Sequence, residues 1–160
     1  MVLRRARRIT DVMLYELRMA LEFQFDYKVA EALLPSIDRI EVRYSKKGRI
    51  KEIWLDNELL LVRRPNDGLF TLSIKAAKII VAISDRPRYR IVVKKDRELK
   101  GSVLARDVIE IDPLLRPGDE VIIVDSEDTV VGVGRLRLPP TMLIGLDRGE
   151  IARVRKKSGA

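Results

Sequence analysis

The chain has 160 residues, of which 46% are hydrophobic and 35% charged, enough for one ordinary domain or two small ones with a buried core. It contains neither Cys nor His, which excludes disulfides, thiolate zinc sites, cysteine nucleophiles and the Ser-His-Asp triad, and so argues against most hydrolases. Its 32 basic and 24 acidic side chains give a net charge of +8, which suits a polyanionic partner such as a nucleic acid or an anionic membrane surface.

The first half of the chain predicts a small α+β unit. Apolar residues at helical spacing from Ile9 to Leu21 predict a helix that Thr10 could cap, and Asp26 is a plausible N-cap for a second, shorter helix. The period then changes to two, as in the alternation of Ile40, Val42 and Tyr44 with charged residues. This pattern predicts strands over 40–44, 50–55, 59–62 and 69–72, joined by turns, and then a helix over 74–83 that begins at Ser73.

The second half predicts a small barrel of short strands after a linker at 85–88. Glycine, proline and acidic turn residues separate apolar runs at near-regular spacing. The predicted strands cover 91–93, 103–111, 120–124, 130–138 and 150–155. A short helical or turn segment is expected at 96–100 and a helical turn at 143–147.

Charge is segregated along the chain. Residues 86–100 hold seven basic and two acidic side chains, residues 153–157 are basic without an acid, and residues 107–128 hold eight acids and one base. This distribution favours an anion-binding face over a charge that only aids solubility. Lys46 and Lys47 could touch phosphate, but we expect them to lie at a solvated hairpin tip.

The acidic residues do not suggest a catalytic or metal site. Asp107 and Glu110 would point to opposite faces of a strand, and Asp112 lies beside a Pro/Gly loop where it is expected to form a turn. We therefore predict no catalytic residue, no metal and no cofactor. No apolar run approaches the ~20 residues that span a membrane, and the basic N-terminus lacks an apolar signal core, so we expect a cytoplasmic protein without a membrane partner.

The order of motifs in the second half resembles the PUA domain, a pseudo-barrel RNA-binding module. The motifs that carry the resemblance are RIVVKKD, KGSVLARDVIEID, LRPGDEVIIVD, DTVVGVGRLRL and RGEIARVR. The first half, with its NDGLFTLS stretch, resembles the segment before the PUA domain in archaeal tRNA-guanine transglycosylases. The resemblance implies an α+β fold with a pre-PUA domain over 1–86 and a PUA domain over 89–157. The catalytic barrel of those enzymes and its zinc site have no counterpart in this sequence.

In the enzymes that the chain resembles, the two domains bind tRNA, and the PUA domain contacts the acceptor stem and the 3′ CCA end. The resemblance therefore implies a non-catalytic RNA-binding protein whose groove is formed by the loop at Gly101, the adjoining strand and the last strand. Arg153 and Arg155 lie two apart on that last strand and are expected to share one face, which could follow a phosphate chain. The predicted RNA-binding set is Lys100, Gly101, Ser102, Arg106, Arg135, Arg153, Arg155 and Lys156.

Two alternatives remain open at this point. The chain could be the RNA-binding subunit of a separately encoded transglycosylase catalytic chain, or it could act as a ribosome-associated translation factor.

Overall fold

The computed structural model describes residues 7–95 and 98–159, and it divides into two compact units, the first ending at Ile83 and the second beginning at Ser84. The first unit combines helices with an antiparallel sheet, and the second is a curled sheet. This confirms the predicted α+β class.

The first unit consists of three helices and a five-stranded sheet. The helices are α1 Asp11–Gln24, α2 Tyr27–Leu33 and α3 Ile74–Ile83, and the strands are β1 Arg7–Arg8, β2 Ile40–Tyr44, β3 Ile50–Leu55, β4 Glu58–Arg63 and β5 Phe70–Leu72. The sheet is antiparallel in the order β1-β2-β3-β4-β5, so each strand pairs with its neighbours in the chain. Helix α3 packs on β4 and β5, and α2 contacts α1 and α3.

The helices of the first unit begin where the sequence places their caps. The Thr10 hydroxyl accepts a hydrogen bond from the Met13 N–H at 3.2 Å, and the Asp26 carboxylate accepts one from Val29 at 2.8 Å. The Ser73 hydroxyl does the same for the third helix at Ala76. Each cap satisfies a backbone N–H that has no partner within its own helix, which fixes the start of the helix.

The second unit is a six-stranded sheet. Its strands are β6 Arg90–Val93, β7 Ser102–Leu104, β8 Val108–Ile111, β9 Glu120–Val124, β10 Val130–Leu136 and β11 Glu150–Lys157. Their order in the sheet is β7-β11-β10-β9-β6-β8, and all pairs are antiparallel except β6 with β9, which are parallel. The core of the unit is apolar, with Ile91, Val121, Ile123 and Ile151 fully buried.

The single strand predicted over 103–111 is wrong. A 3-10 turn at Ala105–Asp107 divides it into β7, which pairs with β11, and β8, which pairs with β6. These two strands lie at opposite edges of the sheet, so the chain has to bend between them. Asp107 consequently lies in the turn and not on a strand face.

The structure also differs from two smaller predictions or leaves part of them undescribed. The helical turn expected over 143–147 is a 3-10 helix at Pro140–Leu143. Of the segment expected to be helical or a turn at 96–100, residues 96 and 97 lie outside the described residues, and 98–100 have no regular structure.

Candidate nucleic-acid interface

Three predicted site residues lie side by side across the second sheet. In the strand register, Arg135 of β10 is opposite Arg153 of β11, and Arg153 is opposite Ser102 of β7. Residues directly opposite each other on neighbouring strands project to the same face of a sheet. The two guanidinium groups and the hydroxyl therefore form one polar row, which continues on β9 with Glu120, the residue opposite Arg135.

The loop before β7 lies at one end of this row. Lys100 and Gly101 are exposed, and the Gly101 carbonyl accepts a hydrogen bond from the Val154 N–H at 2.9 Å, which ties the loop to the last strand. A Cβ built at Gly101 would meet no atom within 4 Å, and its φ lies outside the left-handed range. The fold itself therefore does not require glycine here. The open space beside the backbone is what a closely approaching ligand would need.

Arg153 and Arg155 are not equivalent, although their spacing predicts that they act together. Val133 pairs with Lys156 and Gly134 pairs with Val154, so Arg155 is the extra residue of a β-bulge. Its two terminal nitrogens donate to the two oxygens of Glu120, each at 2.7 Å. The Glu120 side chain is fully buried, whereas that of Arg155 is 37% exposed.

This pairing gives the two arginines different chemistry. The charge of Arg155 is already neutralised by a buried carboxylate in bidentate geometry, the strongest form of such a pair. Arg153 is 63% exposed, and its one ionic contact among the described residues is with Glu150 at 3.4 Å. Arg135 is exposed and forms no ion pair with any residue that the structure describes. Arg153 and Arg135 can therefore meet a phosphate, whereas Arg155 stabilises the fold.

The other two predicted site residues lie near the row but not in it. Arg106 is exposed in the 3-10 turn, where its backbone carbonyl accepts a hydrogen bond from Lys94 Nζ at 2.9 Å. Lys156 is exposed on β11, beside the bulge. The structure thus brings Lys100, Gly101, Ser102, Arg135 and Arg153 together through strand register and the loop. Arg106 and Lys156 lie outside that row, and Arg155 contacts it only through its pair with Glu120.

A groove of about 250 Å³ in the same unit was not predicted from the sequence. Three lysines and two acids contribute to its lining, which includes Lys94, Lys95, Lys157, Glu98 and Asp125. Lys95 pairs with Glu127 at 2.7 Å, so it is already compensated. The basic composition of residues 86–100 was a signal for this groove, but the pattern does not show that Lys157 joins it from the last strand.

Two buried acidic residues, Asp112 and Asp125, stabilise turns of the second unit. The buried Asp112 carboxylate accepts hydrogen bonds from the backbone N–H of Tyr89 and from Arg88 at 2.8 and 2.7 Å, and its second oxygen accepts one from the Leu114 N–H. Asp125 similarly accepts from two N–H groups of its hairpin turn. Within residues 7–95 and 98–159, no group of three acidic side chains could hold a metal ion.

Each of the two units matches a known protein family. Residues 15–87 match the family described as the patch-forming domain C2 of tRNA-guanine transglycosylase, and residues 90–157 match the PUA domain. The chain is therefore a PUA-domain protein in which a C2 domain precedes the PUA domain.

Archaeal relatives make the assignment more particular. The tRNA-guanine(15) transglycosylase of Methanothermobacter thermautotrophicus is 32% identical over 143 residues, which are 87% of this chain and 22% of that enzyme. The one from Pyrococcus furiosus is 31% identical over 150 residues, 91% of this chain and 25% of the enzyme. The chain matches the C-terminal, pre-PUA plus PUA portion of these enzymes, which is not their catalytic portion, and so spans about a quarter or less of their length.

Solved structures with this fold extend over almost the whole chain. A hypothetical protein from Pyrococcus horikoshii gives a TM-score of 0.71 at 17% identity and covers 98% of this chain and 96% of its own. A conserved PUA domain protein from Thermoplasma acidophilum gives 0.67 at 15% identity, with 98% and 95% covered. At these identities the likeness concerns the fold.

The PUA domain and the homology to the transglycosylases support RNA binding by this chain. Among the helices of the described residues, none is long and apolar enough to cross a membrane.

Proposed function

We propose that this chain binds tRNA at the acceptor stem and the 3′ CCA end through its PUA domain. The observation that carries the proposal is the row of Arg135, Arg153 and Ser102 beside the open loop at Gly101. A single-stranded RNA end needs cations for its phosphates and backbone groups that it can approach closely, and this row with its loop offers both. Transfer RNA is the RNA named in the relatives, which are tRNA-guanine(15) transglycosylases.

The experiment compares intact tRNA with tRNA whose CCA end has been removed. Arg153→Glu and Lys100→Glu each place a repulsion where a phosphate would lie, which should cost about 1–2 kcal/mol of binding free energy, or roughly tenfold in affinity. Trimming should weaken binding of the wild-type protein to a similar extent, and the Arg153→Glu protein should no longer distinguish the two RNAs.

The control is Lys28→Glu, which changes the net charge equally at an exposed position on the short helix α2 of the first unit. Binding should be measured by fluorescence anisotropy with labelled RNA, after circular dichroism has shown each variant to be folded. Equal losses for Lys28→Glu and Arg153→Glu, or no effect of trimming, would remove the support for an acceptor-end site.

A second candidate function, an accessory subunit for a transglycosylase-type catalytic chain, is favoured by an apolar stripe on α1. The exposed fractions of Val12, Tyr15, Met19 and Phe23 are 67, 66, 45 and 85%. The stripe lies opposite the buried Leu17 face of the helix, and exposed apolar stripes of this kind are typical of protein interfaces. The curated relatives join the matching segment to a much longer remainder in one polypeptide, and a catalytic chain could supply that remainder here.

Co-purification with a transglycosylase catalytic chain from the same organism tests this second candidate. A stable complex that Phe23→Lys abolishes, while tRNA binding by the isolated chain persists, is the expected result. The alternative of a ribosome-associated factor is separated from both by sedimentation with ribosomal subunits, where binding in the absence of tRNA would favour it.

A further inference from the structure

The described part of the loop before β7 is attached to the sheet through Gly101 and through Leu99. The Gly101 carbonyl accepts a hydrogen bond from the Val154 N–H at 2.9 Å. Leu99 is half-buried and packs against the apolar core of the second unit, whereas Lys100 and Gly101 are exposed. One hydrogen bond alone would leave this irregular segment free to rotate, so the position of Lys100 depends on where Leu99 is held.

Leu99 packs where residue 132 of β10 has no side chain. A Cβ built on Gly132 would lie 2.7 Å from Leu99 Cδ2, well inside the ~3.5–4.0 Å at which two carbon atoms make contact. The φ angle of Gly132 is outside the left-handed range, so its backbone conformation alone does not require glycine. The close approach of Leu99 does require it, together with the Lys156 carbonyl oxygen, which lies 3.0 Å from the same point.

The next glycine on β10, Gly134, has a different role. Its Cβ would lie 2.0 Å from the backbone oxygen of Arg153, so it is required for the packing of β10 on β11. The nearest neighbour of Gly132 is instead the end of a side chain, which can rotate away, and the Lys156 oxygen would have to move by only a few tenths of an ångström. A methyl group added at Gly132 would therefore displace Leu99 before it displaces the strand.

We propose that Leu99, packed against Gly132, is a positioning residue that holds Lys100 and the Gly101 backbone at the end of the polar row. Leu99 needs no contact with RNA for this role, because it acts through its neighbour Lys100. The inference rests on the proposed acceptor-end binding. It gives a role to an apolar side chain that the charge pattern of residues 86–100 does not single out.

The test compares Leu99→Ala with Leu146→Ala in the full chain. Both changes leave the net charge unaltered and shorten a half-buried leucine that packs on the same core, but Leu146 lies in the loop before β11. The affinity for intact tRNA should fall at least about threefold in Leu99→Ala and stay within about twofold of the wild type in Leu146→Ala. Leu99→Met should bind tRNA as the wild type does, because a flexible side chain of similar volume can pack in the same place.

A double-mutant cycle with Lys100→Ala separates positioning from a general loss of stability. If Leu99 acts through Lys100, the two changes together should weaken binding of intact tRNA no more than the larger single change does. Neither change should alter binding of tRNA that lacks its CCA end. Losses that multiply in the double variant, or an equal loss in Leu146→Ala, would overturn the proposal.

Amide hydrogen exchange gives a readout that needs no RNA. In Leu99→Ala and in Gly132→Ala, the Val154 amide should lose protection because its acceptor lies in the loop, whereas the Leu136 amide, whose acceptor lies outside the loop, should keep it. Unchanged protection of Val154 would overturn the positioning role. Lost protection of Val154, with no effect of Lys100→Ala on binding of intact tRNA, would support the positioning role and overturn the acceptor-end site.

Discussion

Replacing Arg155 by alanine should destabilise the second unit far more than replacing Arg153, its neighbour two residues away. Arg155→Ala removes two 2.7 Å contacts from Glu120, whose side chain has no access to solvent. Leaving a buried polar group unsatisfied costs about 1–3 kcal/mol, and breaking a buried ion pair costs about 3–5 kcal/mol. Arg155 is 37% exposed, so water can enter when it is removed. We therefore expect a loss near the boundary of the two ranges, about 3 kcal/mol.

The matched control is Arg153→Ala on the same strand. Its side chain is 63% exposed and its one ionic contact is 3.4 Å long, so its loss should cost less than about 1 kcal/mol. Adding Glu120→Gln to Arg155→Ala should restore part of the stability, because the buried carboxylate is then neutral.

The assay is urea unfolding followed by far-UV circular dichroism. Fluorescence is unsuitable, because the single tryptophan, Trp54, lies in the first unit. Equal free energies of unfolding for Arg155→Ala and Arg153→Ala would refute the reasoning. So would a further loss of stability when Glu120→Gln is added to Arg155→Ala.

Three more predictions concern glycine, a buried arginine and pH. Gly134→Ala should lower the free energy of unfolding by at least about 3 kcal/mol, because its Cβ would lie 2.0 Å from a backbone oxygen of the paired strand. Gly101→Ala should change the free energy of unfolding by less than about 0.5 kcal/mol, because its Cβ would meet no atom within 4 Å. Urea titration measures both values. Arg90→Met should cost about 3–5 kcal/mol in the same assay, because it removes a fully buried guanidinium that is ion-paired at 2.8 Å. The Arg39 hydrogen bond holds the pKa of the Asp56 carboxyl below its usual range, so this stabilisation is present above the ordinary aspartate pKa of about 3.9 and is lost as the pH falls through the lowered value. Asp56→Asn should therefore flatten the acid side of the stability–pH profile, and an unchanged profile would contradict this.

Local structure could be predicted from the sequence because its causes are local. The caps at Thr10, Asp26 and Ser73 act over three residues, and the change of hydrophobic period at Asp38 marks the first sheet. The predicted strand over 103–111 was wrong because its division depends on a tertiary requirement. The two halves become the strands at opposite edges of the sheet, where β7 pairs with β11 and β8 pairs with β6, and nothing within those nine residues encodes that separation.

Some features of the candidate sites could likewise be predicted from the sequence, and others depend on tertiary structure. The Glu120–Arg155 pair joins residues 35 positions apart and depends on a bulge, so strand spacing alone made Arg155 look equivalent to Arg153. Basic residues also occur at alternate turns of the meander in the first unit, at 46–49 and 63–64, and since alternate turns lie at the same end of the sheet, the sequence could have predicted that these charges gather there. Each turn considered alone suggests only a solvated tip.

The structure also shows which basic side chains are already paired with carboxylates and which are available to a polyanion such as RNA. Arg90 and Arg155 are committed to carboxylates within the second unit, with N–O distances of 2.8 and 2.7 Å. Their charge is already compensated by these carboxylates, so we expect them to displace few counterions if RNA binds. Lys47, Arg135 and Arg153 are exposed with at most a long ionic contact, and only charges of this kind contribute to the salt dependence of binding. A count of charges treats all basic side chains alike, but their partners differ. Those paired with a carboxylate stabilise the fold, and those without one are available to a polyanion.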